Sequence, residues 1–196
     1  NLENTVYDVH SATRKSFDLD TAELAFRRLA DEVFDHGGTG SNHSAYEASG
    51  ALFNILCIEN DSIRDVYFNN FMNGTPNQDG FHTILNTIKT NDYLWPESFT
   101  YGKVTHEVVL HLLNVVDRYR DSLNLVNVHR STLKGAFLYQ NMKYPNKRAA
   151  IRMGDSRRVK KISCENLYLK VLAIAHRRGM NVYKNLAIQR IQGLYN

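Results

Sequence analysis

The chain has 196 residues, 43% of them hydrophobic and 22% charged, with a formal net charge of +4. That is long enough for one domain with a core of its own and too apolar for the disordered class, and no run approaches the ~18 consecutive apolar residues of a membrane span. Two cysteines, Cys57 and Cys164, are too few for a disulfide framework and read as buried free thiols of a reducing compartment.

Residues 1–17 are polar and aperiodic and read as an extended arm. They hold no apolar signal core and no initiating Met, so the chain reads as a processed product, a fragment or the ordered part of something longer. Asp18 or Asp20 can cap a first helix, with Glu23, Leu24, Phe26, Leu29, Ala30 and Val33 at helical spacing, stopped by the breakers from His36 to Ser41. That glycine-rich loop lacks the Lys-Ser/Thr and the preceding strand of a phosphate cradle, so it reads as a plain connection. Asn42 or Ser44 opens the next helix. Ala45, Ala48, Ala51, Leu52, Ile55, Leu56 and Ile58 make it apolar nearly all round, which predicts the centre of the core.

Ser62 opens a helix through Met72, closed by Asn73-Gly74-Thr75-Pro76, and Phe81, Ile84, Leu85 and Ile88 mark another. The loop 91–102 carries the only Trp, Trp95, expected to anchor it to the core. Thr105 is the predicted cap of the most regular helix, Val108 to Tyr119. Leu133 to Met142 suggests a further helix stopped before Pro145. Ser163, with Asn166 at capping distance, opens a strongly apolar helix over Leu167–Ala175, and Val182–Leu194 is the last. The expected fold is all-α, a compact bundle of about eight helices behind the N-terminal arm.

Charge divides the chain. Residues 141–196 carry 13 basic and 2 acidic side chains, whereas the first 140 carry 11 basic and 18 acidic. The expected organisation is an arm at 1–17, an acidic helical core at 18–142 and a basic helical region at 143–196 continuous with it. Lys147, Arg148, Arg152, Arg157, Arg158, Lys160 and Lys161 can meet phosphates as forks or point charges. Tyr139 and Tyr144, with Tyr168 and Tyr183, flank them as candidate platforms for unpaired bases, which points to single-stranded RNA.

No catalytic or metal signature is legible. His106 and His111 stand five residues apart, not the four that places two ligands on one helical face, and no other histidine has ligand spacing with a cysteine. Neither a metal nor a cofactor is expected, nor an enzyme.

Three stretches resemble the coat proteins of potyvirus-type flexuous filamentous viruses: Ala51-Leu52 leading to Cys57-Ile58-Glu59-Asn60; Thr105 to Tyr119 with His111, Asp117 and Tyr119; and Lys134 to Met142 followed by Pro145 and arginines. The family's RNA-pocket Asp would fall on Leu138 and its Arg on His106, so the phosphate pocket does not carry over. The resemblance implies an all-α protein that polymerises through its arms around single-stranded RNA. It also implies a location in the virion or host cytoplasm. A second stretch, Glu47 to Leu56 with Gly80 to Leu85, is similar to one armadillo repeat, without a second copy at a period of ~40. The expectation is a self-assembling viral coat or nucleocapsid protein, a homo-oligomer that binds RNA and no membrane. The alternative is an armadillo/HEAT-like domain that binds a protein partner.

Overall fold

The computed structural model describes residues 18–142 and 163–195, so the arm at 1–17 and most of the basic stretch lie outside the described residues. The described residues form an all-α protein. Its helices are α1 (Leu19–His36), α2 (Asn42–Ile55), α3 (Asp61–Asn73), α4 (Phe81–Thr90), α5 (Phe99–Tyr119), α6 (Leu125–Val128), α7 (Arg130–Ala136), α8 (Glu165–Arg177) and α9 (Asn181–Tyr195). Single 3-10 turns follow at Asp121–Leu123 and Tyr139–Asn141. None of these helices is long and apolar enough to cross a membrane.

Local chemistry sets the boundaries. The Asp18 carboxylate accepts from the Thr21 amide at 3.1 Å and starts α1. Asn60, not Ser62, caps α3 by accepting from the Ile63 amide at 3.1 Å. Gly74 ends α3 at φ 86°, a left-handed position open to glycine at no steric cost. The stretch Leu133 to Met142, expected as one helix, is instead the end of α7 and a separate 3-10 turn.

α5 shares the centre of the core with α2. Val109, Leu110, Leu112, Leu113 and Val116 are fully buried on it, and it packs against α2, α6, α7 and α8. Each such side chain contributes about 1.5–3 kcal/mol when removed from water. On α2, Ala45, Ala48 and Ala51 are buried and let α1 and α5 approach closely. Its other face is open, with Tyr46 and Phe53 at 38% and 43% exposure.

α5 also begins earlier than Thr105, at Phe99 with Ser98 in the N-cap position, and Thr105 is buried within it. Gly102 lies inside the helix because its neighbours crowd it. An added β-carbon would sit 3.1 Å from the Trp95 carbonyl oxygen and 3.5 Å from the Tyr139 hydroxyl. At the other end of α5, Asp117 is buried and ties it to α8. Arg178 donates to the two carboxylate oxygens at 2.7 and 2.5 Å, and Arg177 pairs with the same group.

Candidate functional site

The loop joining α4 to α5 is held from three sides. Asp92 and Tyr93 both adopt left-handed backbone angles, φ 51° and 70°, a conformation non-glycine residues adopt rarely. The Leu94 amide closes a turn on the Asn91 carbonyl at 3.0 Å. The Lys134 ammonium sits 4.4 Å from the centre of the Tyr93 ring, and Gly135 lies against the Tyr93 carbonyl. The Trp95 amide donates to the Tyr139 hydroxyl at 3.3 Å, which donates onward to the Gly102 carbonyl at 2.9 Å. Trp95 is 4% exposed. The 3-10 turn and the end of α7 are therefore a clamp on this loop.

Two hollows share the loop's last residues. One is a cleft of about 400 Å³ lined by Asn42, His43, Glu97, Ser98 and Tyr101. The other is a cavity of about 510 Å³ bounded by the loop from Asn91 to Ser98 and by Met142. Glu97 and Ser98 belong to both walls.

The cleft lies where the N-termini of α2 and α5 converge, and helix N-termini carry partial positive charge. The Glu97 carboxylate accepts from the Asn42 amide at 3.0 Å and joins the two helix starts. Ser98 is 8% exposed and its hydroxyl has no hydrogen-bond partner. His43 and Tyr101 are exposed at the cleft, Tyr101 at 45%. One turn along α2, burial pushes the Tyr46 phenol above its ordinary range, and the Glu107 and Glu97 carboxylates push the same way. Lys103 pairs with Glu107 at 2.5 Å on the next turn of α5. An imidazole, a phenol and an amide thus share one solvent-open hollow, with the buried Ser98 hydroxyl in its wall. Such groups can donate to and accept from ligand oxygens and can move protons.

The sequence-expected site residues fall elsewhere. Lys147, Arg148, Arg152, Arg157, Arg158, Lys160, Lys161 and Tyr144 lie outside the described residues. Tyr139 is 2% exposed and spends its hydroxyl on the clamp, with edge-on contacts to Phe99 and His106 at 5.9 and 5.5 Å, so it is no platform for a base. Tyr168 is buried in a stack on Phe137. His106 is a core histidine. Its Nε2–H donates to the Thr132 carbonyl at 2.7 Å, and burial lowers its pKa to about 4. Among the described residues no group of three or more His, Cys, Asp or Glu is placed to hold a metal ion. Cys57 and Cys164 are not joined in a disulfide.

A family model described as the second domain of an endo-acting ulvan lyase matches residues 91–196, starting at the clamped loop. The chain belongs to this family. It is 30% identical over 190 residues to an endo-acting ulvan lyase of Formosa agariphila, an alignment that covers 93% of this chain and 23% of that enzyme. The chain thus spans about a quarter of the length of that relative. No solved structure matches it.

Membership of the ulvan lyase second-domain family overturns the viral resemblance and what followed from it: RNA binding, a capsid or nucleocapsid role, self-assembly around RNA, and a place in a virion or host cytoplasm. It overturns the non-enzymatic expectation too, since the family is named for a lyase, and it leaves the armadillo/HEAT alternative without support. The physical reason is that the matching stretches do structural work. Thr105–Tyr119 lies within the central core helix, Lys134–Met142 carries the loop clamp, and Asn60 caps α3. Short patterns of that kind recur wherever helices pack.

Proposed function

We propose that this chain is the helical part of a polysaccharide lyase that cuts within acidic chains, and that the cleft at Asn42, His43, Ser98 and Tyr101 holds the sugar at which the bond breaks. The family match over residues 91–196 carries the reading. The proton-moving groups at the convergent helix starts support it.

A lyase cleaves by elimination, and in a sugar chain elimination needs a proton made acidic by a neighbouring carboxylate, as at C5 of a uronate. A base takes that proton, the electron pair becomes the C4–C5 double bond, and the C4–oxygen bond breaks. The departing oxygen takes up a proton. The His43 imidazole is the group in the cleft suited to accept the C5 proton, and the Tyr101 phenol is suited to protonate the leaving oxygen. The Asn42 side-chain amide lines the cleft and can donate to the uronate carboxylate, which gathers charge as the proton leaves. The Asn42 backbone amide is held by Glu97.

The basic residues 147–161 fit the same substrate class. A polyanionic sugar chain draws on lysines and arginines as a nucleic-acid backbone does, by charge and bidentate hydrogen bonds. An enzyme that cuts a polymer at internal bonds meets it outside the cell, so an extracellular setting belongs to this proposal.

The test is elimination by the intact protein on ulvan, followed by the ultraviolet absorbance of the unsaturated product. His43→Ala and Tyr101→Phe are expected to lower kcat by about 10²–10⁴-fold. Both residues are exposed, so melting temperature stays at the parent value. Parent rates in both variants would remove the cleft from the chemistry.

A further inference from the structure

Two buried histidines that the chemistry of the cleft does not use bracket α7. His106 of α5 is fully buried against one side of it. Its Nε2–H donates to the Thr132 carbonyl at 2.7 Å, and a β-carbon added to Gly135 would come within 2.8 Å of its ring. The Tyr139 ring covers it edge-on at 5.5 Å. His129 stands at the N-cap position of α7 and is 4% exposed. The charged groups facing it come from α4, which packs on α7. They are His82 and Lys89, about two helical turns apart on one face. In both histidines Nδ1 is buried with no hydrogen-bond partner among the described residues. A proton added there would leave a buried charge with no acceptor, and on His129 it would also meet the charges of α4.

We propose that α7 is an acid-released latch on the α4–α5 loop: protons taken up by His106 and His129 free it from α5 and α4, and the loop loosens while the other helices stay folded. The hold on the loop is direct. Gly135 abuts the Tyr93 carbonyl, Lys134 covers the Tyr93 ring, and Tyr139 just beyond α7 receives the Trp95 amide. Asp92 and Tyr93 keep their left-handed backbone angles under that hold. A helix of 7 residues gives way locally at less cost than the core helix behind it. The sign follows from burial. It holds both imidazoles below their ordinary range, His106 at about 4, and His82 and Lys89 push His129 the same way. The released state regains the ordinary value of 6.5 and so binds protons that the latched state refuses. Release is therefore favoured as pH falls below 6.5. Because the loop ends in Glu97 and Ser98, release also unsettles a wall of the cleft. That consequence alone rests on the polysaccharide-lyase reading.

Amide hydrogen exchange in the intact protein tests the latch independently of ulvan cleavage. Two histidines together can favour release by up to about a hundredfold per pH unit. Exchange at the Trp95 amide, corrected for its intrinsic rate at each pH, is expected to rise roughly tenfold to fiftyfold from about pH 6 to pH 5. Exchange at Leu112, in the middle of α5, is expected to rise far less. Lys89→Glu, at an exposed position, sets a carboxylate where a cation repels His129. It is expected to cut the Trp95 rise roughly threefold to tenfold. Flat exchange at Trp95 would overturn the latch. So would an equal rise at Leu112, which marks global unfolding, or an undiminished rise in Lys89→Glu. Each of these failures leaves the lyase reading standing, because cleavage of ulvan at neutral pH tests that reading by itself.

Discussion

Gly135 lies so close to Tyr93 that a β-carbon added there would run into the Tyr93 carbonyl. Two elements 42 positions apart in sequence therefore touch backbone to backbone. The contact leaves Tyr93 in its left-handed conformation with the Lys134 ammonium over its ring.

Gly135→Ala is accordingly expected to destabilise the protein by about 1–3 kcal/mol through overpacking. The loop cannot move aside without giving up the Trp95–Tyr139 bond. Chemical denaturation reads the loss directly, and raised solvent access at Trp95, seen by acrylamide quenching of its emission, locates it. A variant as stable as the parent would show that the loop relaxes freely.

Tyr139→Phe keeps the ring among Phe99 and His106 but removes the hydroxyl between the Trp95 amide and the Gly102 carbonyl. Burial also pushes that phenol well above its ordinary range, so it stays protonated at any working pH. The expected cost is about 1–3 kcal/mol for buried groups left unpaired. Amide exchange at Trp95 is expected to quicken more than exchange in the middle of α5.

Asp117 is the charged link between α5 and α8. Burial opposes its ionisation, but hydrogen bonds and charge from Arg178 and Arg177 outweigh it, so its carboxyl lies below the ordinary value of 3.8. A depressed carboxylate stabilises the fold above its unfolded pKa, and that contribution is lost as pH falls through the folded one. Asp117→Asn is expected to cost about 2–3 kcal/mol near neutrality. That is somewhat less than a fully buried pair, because both arginines are partly solvated. The gap between parent and variant, measured by urea unfolding, is expected to narrow in acid. A gap that stays constant would mean that the charge is not what matters.

His106 gives a dependence at milder pH. Its folded pKa of about 4 lies below the unfolded value of 6.5, so the unfolded chain takes up a proton that the native core refuses. Stability from this group is whole above pH 6.5 and declines as pH falls toward 4, by on the order of 3 kcal/mol. His106→Gln is expected to flatten that part of the stability profile, whatever its cost at neutral pH. The His106 imidazole resonance in the parent is expected to show no titration between pH 8 and 5. A midpoint near 6.5 would contradict the burial argument.

The helices were legible because burial on one face imposes a 3.6-residue period, and that period is written in the chain at Ile84, Leu85 and Ile88 as plainly as at Leu112, Leu113 and Val116. The start of α5 was not. The sequence places Gly102 in the loop 91–102 and the cap at Thr105, and only the approach of Trp95 and Tyr139 explains a glycine inside the helix. The charge division was also legible, and its reading as a surface for a polyanion passes from RNA to an acidic sugar chain under the proposal above. The viral resemblance misled because packing positions such as Thr105, His106 and Tyr139 repeat in many helical proteins.

The sequence by itself determined the all-α class, the approximate helix positions and the charge asymmetry, each a property of neighbours along the chain. The tertiary structure decided which helices meet and where the candidate cleft lies. Asn42 and His43 start one helix, Glu97, Ser98 and Tyr101 start another, and the hydrogen bond from the Asn42 amide to Glu97 joins them. Nothing in local periodicity encodes that meeting. It follows from the small alanines of α2, which let α5 come close enough for both helix starts to share one wall.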